Sequence, residues 1–206
     1  MNKDELLKLI ATSGYNVYFG AKKHFATYDI IEKLPRAIAL LGLLIGIWQL
    51  WKPDVSYSQL ISFLLIVSSV YSYTITQYDG EKENYDRVGQ ELTQIHNQLH
   101  RLYLNVKSSN ASVFPDQEAE LEGLMASYYR TAISKQILFS NTVAHFKFFG
   151  EAQIAWMDEQ LNFTFWKDKV PKVYHLILWI LVAIVVIFIL AYCVYSIWAR
   201  YTPFGG

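Results

Sequence analysis

His96 and His100 stand four residues apart in QIHNQLHRL, which on a helix can present two nitrogens to one metal ion. A metal site needs three or four converging ligands, and no third lies at helical spacing, so the pair reads as solvated helix histidines. No metal or cofactor is expected. His24, His145 and His175 have no catalytic partner in the sequence, and no phosphate loop, nucleophile elbow, HExxH or paired-carboxylate motif occurs. The chain is therefore not expected to be an enzyme. Cys193 is the single cysteine, which excludes an intramolecular disulfide and a cysteine-based zinc cluster, and it reads as apolar filling. Two groups remain with chemistry to offer. Lys22, Lys23 and His24 form a basic triplet suited to anionic lipid or to another anion. Ser58, Ser62, Ser69, Ser72 and Thr76 form a hydroxyl stripe, with Leu65 filling the missing position. Such a stripe can line a water-filled path or permit close helix packing; packing is the commoner use.

The elements that carry these residues are mostly apolar. Hydrophobic residues are 53% of the 206 and charged residues only 17%, while the formal net charge is zero. Nothing in that balance aims the chain at nucleic acid, and no direct DNA binding is expected. Residues 1 to 35 lack the charged tip and apolar core of a secretory signal. Three runs carry no charge: Ala37 to Trp51, Val55 to Tyr78 and Val173 to Ala199. A helix crosses the hydrocarbon with about 20 apolar residues, and runs near 17 still serve. The first run is short at 15 residues, but Lys33, Arg36 and Lys52 can snorkel to the headgroups at its ends. Only Lys52, Pro53 and Asp54 separate the first two runs, which predicts a tight transmembrane helical hairpin. Within its first helix, Gly42 and Gly46 give a small face suited to close helix contact.

Lysine and arginine near the apolar runs set the expected orientation. Lys3, Lys8, Lys22, Lys23, Lys33, Arg36, Lys82, Arg87, Lys167, Lys169 and Lys172 fall on one side, and only Lys52 and Arg200 on the other. The N-terminus and residues 79–172 are expected in the cytoplasm and the C-terminus outside. Tyr85, Val88, Leu92, Ile95, Leu99, Leu102 and Val106 are spaced alternately by three and four, a heptad seam expected to serve an oligomer, although a partner helix within the chain could satisfy it alone. KSSNASVFP, residues 107 to 115, breaks that helix, and a second long helix is expected from Pro115 through the aromatic stretch at 144–157. The two are read as a long cytoplasmic helical hairpin, although residues 136 to 149 also suit a strand.

The stretch GYNVYFGAKKHFATYDIIEKLP, residues 14 to 35, precedes the first apolar run. Tyr15, Tyr18, Phe19, Lys22, Phe25 and Ala26 recur at threes and fours, so the segment predicts an amphipathic helix. Its aromatic face either lies at the acyl boundary with lysines toward anionic lipid, or packs on the central helices. Tyr15 and Asn16, Gly20 and Ala21, and the run Lys22 to Phe25, followed by a basic linker and a two-helix hairpin, resemble the SLATT family of bacterial two-transmembrane effectors. That resemblance implies a membrane-permeabilising effector of antiphage defence in the bacterial inner membrane, triggered through a nucleotidyltransferase-type or reverse-transcriptase partner or its nucleotide product, with Lys22, Lys23 and His24 as candidates to receive that signal. The apolar run at 173–199 departs from a two-helix pattern.

The expected molecule is an all-α membrane protein. It has an amphipathic N-terminal helix over 1–35, a transmembrane hairpin over 36–78, a cytoplasmic helical hairpin over 79–172, a third transmembrane helix over 173–199 and a short outer tail over 200–206. Its expected role is to oligomerise and permeabilise the membrane on a signal; the alternative is a non-lethal scaffold that recruits a cytoplasmic partner.

Overall fold

The computed structural model describes residues 1–52 and 56–201, with side chains up to residue 196. All its described regular elements are helical. The chain divides into two units, Met1–Asn162 and Phe163–Gly206. Much of the expected 52–54 turn and of the 200–206 tail lies outside the described residues.

The first unit is organised by α1, Lys3–Trp51, a single helix of 49 residues that is about 74 Å long at ~1.5 Å per residue. Asn2 starts it with a reciprocal cap: its side chain accepts from the Glu5 amide at 2.9 Å while the Glu5 carboxylate accepts from the Asn2 amide at 3.2 Å. Pro35 does not end the helix, as the sequence boundary at 35 had it; α1 runs through it. The ring removes only the hydrogen bond to the Ile31 carbonyl. The ion pairs Asp29–Lys33 and Glu32–Arg36 hold the turns around it.

The first thirty-odd residues of α1 are core. Leu6, Ile10, Gly14, Val17, Ala21 and His24 recur at threes and fours and are buried. α3, Lys82–Ser108, lies along this stripe in the most extensive helix contact of the unit. Its C-terminal carbonyls receive the Lys3 ammonium, at 2.8 Å from Lys107 and 2.6 Å from Ser109. α4, Pro115–Thr131, starts with proline in its first turn, packs on α3 and contributes Leu121 to the same cluster.

The second long helix expected over 115–157 is instead three shorter ones. α4 ends at Thr131, α5 spans Ser140–Glu151 and α6 spans Ala155–Leu161. No proline or glycine breaks the chain after Thr131; partners on α1 and α3 do. The Ile133 amide donates to His24 Nε2 at 3.1 Å, Thr27 Oγ1 donates to Gln136 at 2.5 Å, and the Tyr85 hydroxyl donates to the Lys135 carbonyl at 3.0 Å. Backbone groups that a helix would satisfy internally are bonded across the fold, and the β-branched Ile133 and Ile137 pack inward. The strand alternative for 136–149 is not what forms; most of that stretch is α5.

α2, Ser58–Thr76, packs on the C-terminal part of α1. A second cluster ties the end of this pair to the rest, with Ile75 of α2 against Ile30 and Ile31 of α1, Tyr85 of α3 and Ile137. In the second unit a π-helical turn, Phe165–Lys169, precedes α7, Lys172–Tyr201, whose described side chains are mostly apolar and exposed. By length and composition α2 and residues 172–196 of α7 qualify as membrane spans, with mean hydropathy 1.4 and 3.2.

Candidate functional site

Most of the large apolar side chains that the first unit exposes lie on the pair formed by α2 and the end of α1. Leu40, Leu41, Leu43, Leu44 and Ile47 of α1 and Leu60, Phe63, Ile66 and Val70 of α2 are more than four-tenths exposed, which suits lipid rather than water. Between the helices an apolar groove of about 260 Å³ is lined by Ile38, Leu41, Ile45, Ile61, Leu64, Leu65 and Ser68. Gly42 faces this contact: a β-carbon there would meet Leu65 at 3.9 Å, whereas one at Gly46 would meet nothing within 4 Å. The hydroxyl stripe is only partly an α1–α2 packing face. Ser58 and Ser72 are half-buried, but Ser62, Ser69 and Thr76 are exposed. Ser69 and Thr76 donate back to the carbonyls of Leu65 and Tyr73, both at 2.8 Å. Their hydroxyls are satisfied within α2, and that flank of the helix is free for another neighbour.

The basic triplet does not form one site. Successive residues on a helix point about 100° apart, and the three side chains diverge. His24 is only 2% exposed. Its Nδ1 lies 2.7 Å from the Gly20 carbonyl and its Nε2 accepts from Ile133, so burial holds its pKa below the usual value and the ring serves the 132–137 segment. His24 therefore offers no surface to lipid or to a signal. Lys22 lies 5.0 Å from the Tyr18 ring and borders a groove of about 330 Å³ with Asp29, Asp86, Lys147 and Glu151. Three carboxylates against two ammonium groups make that groove a poor anion site.

Lys23 faces elsewhere. It lines a cleft of about 300 Å³ with Tyr15, Asn16, Phe19 and Gly20 of α1 and Tyr128 and Tyr129 of α4. Here aromatic faces, one amide and one ammonium surround a concave surface, a set able to stack a flat ring and pair with an anion. The Tyr-Asn, Phe-Gly and lysine positions of the opening stretch meet at this place. Sequence spacing put Tyr15, Phe19 and Lys23 on one side of α1, but nothing local pointed to Tyr128 and Tyr129, which arrive through the α4 fold. The opening stretch thus follows the second of its two readings, with the aromatic face of Tyr18 and Phe25 packed on the head core formed by α1 and α3–α6.

The histidine pair is split as well. His96 is buried, not solvated: its ring stacks on Tyr18 with centroids 4.1 Å apart, and its Nδ1 lies 3.3 Å from the Gly14 carbonyl. Burial lowers its pKa to about 4. His100 stacks on Trp156 of α6 at 5.0 Å. Together with Thr93, Asn97, Glu151 and Gln153 they border a cleft of about 420 Å³. Among the described residues no three metal-binding side chains converge.

The heptad seam is occupied from within the chain. Tyr85, Val88, Leu92, Ile95, Leu99, Leu102 and Val106 are all under 9% exposed, six of them packed with α1 residues in one cluster and Tyr85 in the other. The assembly contact expected there has no side chains left to offer, because α1 is the partner that the seam required.

No curated protein and no solved structure gives a significant match to the chain. The family comparison is positive. Residues 1–178 match the family described as SMODS and SLOG-associating 2TM effector domain 6. The matched region contains α1 to α6 and stops seven residues into α7. Exposed apolar helices and a match over most of its length agree, and the chain belongs to this SLATT family of two-transmembrane effector domains.

Proposed function

We propose that this protein is the membrane-permeabilising effector of a bacterial abortive-infection system. It oligomerises in the inner membrane and opens it when the head receives a nucleotide second messenger or a partner protein. The observation that carries this reading is the continuity of α1, which holds the Tyr15–Lys23 cleft and the apolar run 37–51 on one uninterrupted helix. Lys23 and Arg36 are thirteen residues apart, so the cleft stands about 20 Å from the membrane entry at ~1.5 Å per residue. A ligand that changes how α4 sits on α1 at this cleft biases the membrane helices without passing through a hinge. The source of the messenger would be a nucleotidyltransferase-type or reverse-transcriptase partner.

In this reading α1 and α2 form the family's two spans and α7 adds a third. The lysine and arginine asymmetry puts the head in the cytoplasm and the C-terminus outside. With the heptad seam used within the chain, the flank of α2 bearing Ser62, Ser69 and Thr76 and the open Gly46 face of α1 are surfaces on which copies meet. The test is expression of the full chain in bacteria with growth and membrane potential followed together. An effector depolarises and arrests the cells; a scaffold inserts at equal level and leaves both unchanged.

A further inference from the structure

The uncharged run Gln136–Phe146 lies between Lys135 and Lys147 and has no place in the reading so far. Near its start is a tight turn, closed by the Ser140 amide donating to the Ile137 carbonyl at 3.1 Å, in which inward and outward residues alternate abruptly. Ile137 and Ser140 are buried, whereas Leu138 is 64% and Phe139 54% exposed. Phe139 adopts a left-handed backbone, φ 72°, which a bulky aromatic residue disfavours. The fold accepts that conformation and directs two large apolar side chains away from its own core.

What lies beside them is the membrane pair. The Tyr71 hydroxyl donates to the Leu138 carbonyl at 2.9 Å, and the Tyr71 and Phe139 rings meet edge-on at 5.8 Å. Tyr71 stands five residues before the end of α2, about 7.5 Å inside the apolar helix at ~1.5 Å per residue. The turn therefore reaches past the end of α2 to a level where its neighbours Val70 and Tyr73 are themselves apolar or aromatic and exposed. The two lysines that bracket the run are held back from the tip. Lys135 lies 4.8 Å from the Tyr78 ring and Lys147 is paired with Asp29. An apolar tip flanked by cations one layer away matches the polarity profile from acyl boundary to headgroup.

We infer that Leu138 and Phe139 form an interfacial anchor that inserts into the acyl–headgroup boundary beside α2, with lipid as its partner. The anchor would fix the head at one height and tilt on the bilayer, because the same segment is bonded to His24, Thr27 and Tyr85. The inference rests on α2 being a span, and the experiment separates the two claims.

In a Cys193→Ser background, single cysteines at Leu138, Phe139, Val70 and Val113 of the full chain carry a nitroxide label. The protein is reconstituted in vesicles of phosphatidylethanolamine and phosphatidylglycerol. Collision with oxygen, which favours lipid, is compared with collision with a nickel chelate, which favours water. Labels at 138 and 139 are expected to shift to the oxygen-favoured ratio found at Val70, away from the ratio at Val113 on its exposed loop. If Val70 reads as lipid while 138 and 139 read as water, the anchor is overturned and the span stands. If 138 and 139 are shielded from both probes, a second protein surface covers them and the lipid assignment is overturned. If Val70 reads as water, the span fails and the anchor falls with it.

Discussion

Replacing Gly14 by alanine sets two effects of known sign against each other. Gly14 lies inside α1, where alanine favours the helix by about 1 kcal/mol. The added β-carbon, however, would stand 2.3 Å from Cη2 and 2.8 Å from Cζ2 of Trp156, well inside contact distance. The indole has little room to retreat, with centroids 5.0 Å from His100, 5.1 Å from Tyr103 and 5.6 Å from His96. Overpacking a filled core costs about 1–3 kcal/mol, and a disturbed aromatic contact adds ~0.5–1.5 kcal/mol. The clash wins, and Gly14→Ala should destabilise the head by about 1–2 kcal/mol. Gly123→Ala is the control, since a β-carbon there meets nothing within 4 Å and only the helix gain of roughly 0.5–1 kcal/mol remains. Thermal unfolding of the detergent-solubilised full chain, followed by far-ultraviolet circular dichroism, should move the two midpoints in opposite directions. In a Trp156→Ala background the Gly14→Ala change should turn neutral or stabilising. If Gly14→Ala raises the midpoint as Gly123→Ala does, Trp156 does not sit on Gly14 and the docking of α6 is wrong.

Leu99→Ala in the buried seam should cost about 2–5 kcal/mol, and Ile95→Asp with Leu102→Asp should unfold the head, read as protease sensitivity; a folded double variant that merely loses assembly would restore the seam to the oligomer. For His96 the folded pKa lies below the unfolded value, so the unfolded chain binds the extra proton between pH 6.5 and about 4. Stability is then full above pH 6.5 and falls by about 3 kcal/mol as pH drops to about 4, with His24 acting in the same sense; a denaturation midpoint that is flat across this window contradicts the burial of both rings. Lys23→Ala should reduce toxicity at equal membrane expression while Lys22→Ala leaves it nearly intact, because Lys23 borders the aromatic cleft and Lys22 a groove rich in carboxylates; equal loss from both would assign the lysines to general lipid attraction.

How much of this was legible in the sequence depended on how local the cause was. Apolar runs and the heptad seam follow from composition and periodicity, so the helical class and the membrane character were readable from residues 36–108 and 173–199. Periodicity names a face but not its partner, and that is where expectation and structure part. The seam from Tyr85 to Val106 suits an oligomer contact as well as an internal one in sequence, because α1, the helix that fills it, begins far earlier in the chain, at Lys3. Pro35 looked like a boundary, yet a helix flanked by ion pairs tolerates the loss of one hydrogen bond. The break after Thr131 has no local signal, since His24, Thr27 and Tyr85 supply the competing partners from α1 and α3. Lys22 and Lys23 read as one basic unit in sequence but face different clefts, a consequence of helical pitch alone.

The membrane potential of living cells tests the central claim most directly. The full chain is induced in bacteria carrying a potential-sensitive dye, with membrane insertion measured in the same cultures and colony counts taken over time. Depolarisation that precedes the loss of viability, and that disappears when α1 is interrupted by a flexible glycine insertion between Lys33 and Leu34, is the predicted result. Chain inserted to the same level, with potential and growth both maintained, would contradict it and leave a scaffold in the effector's place.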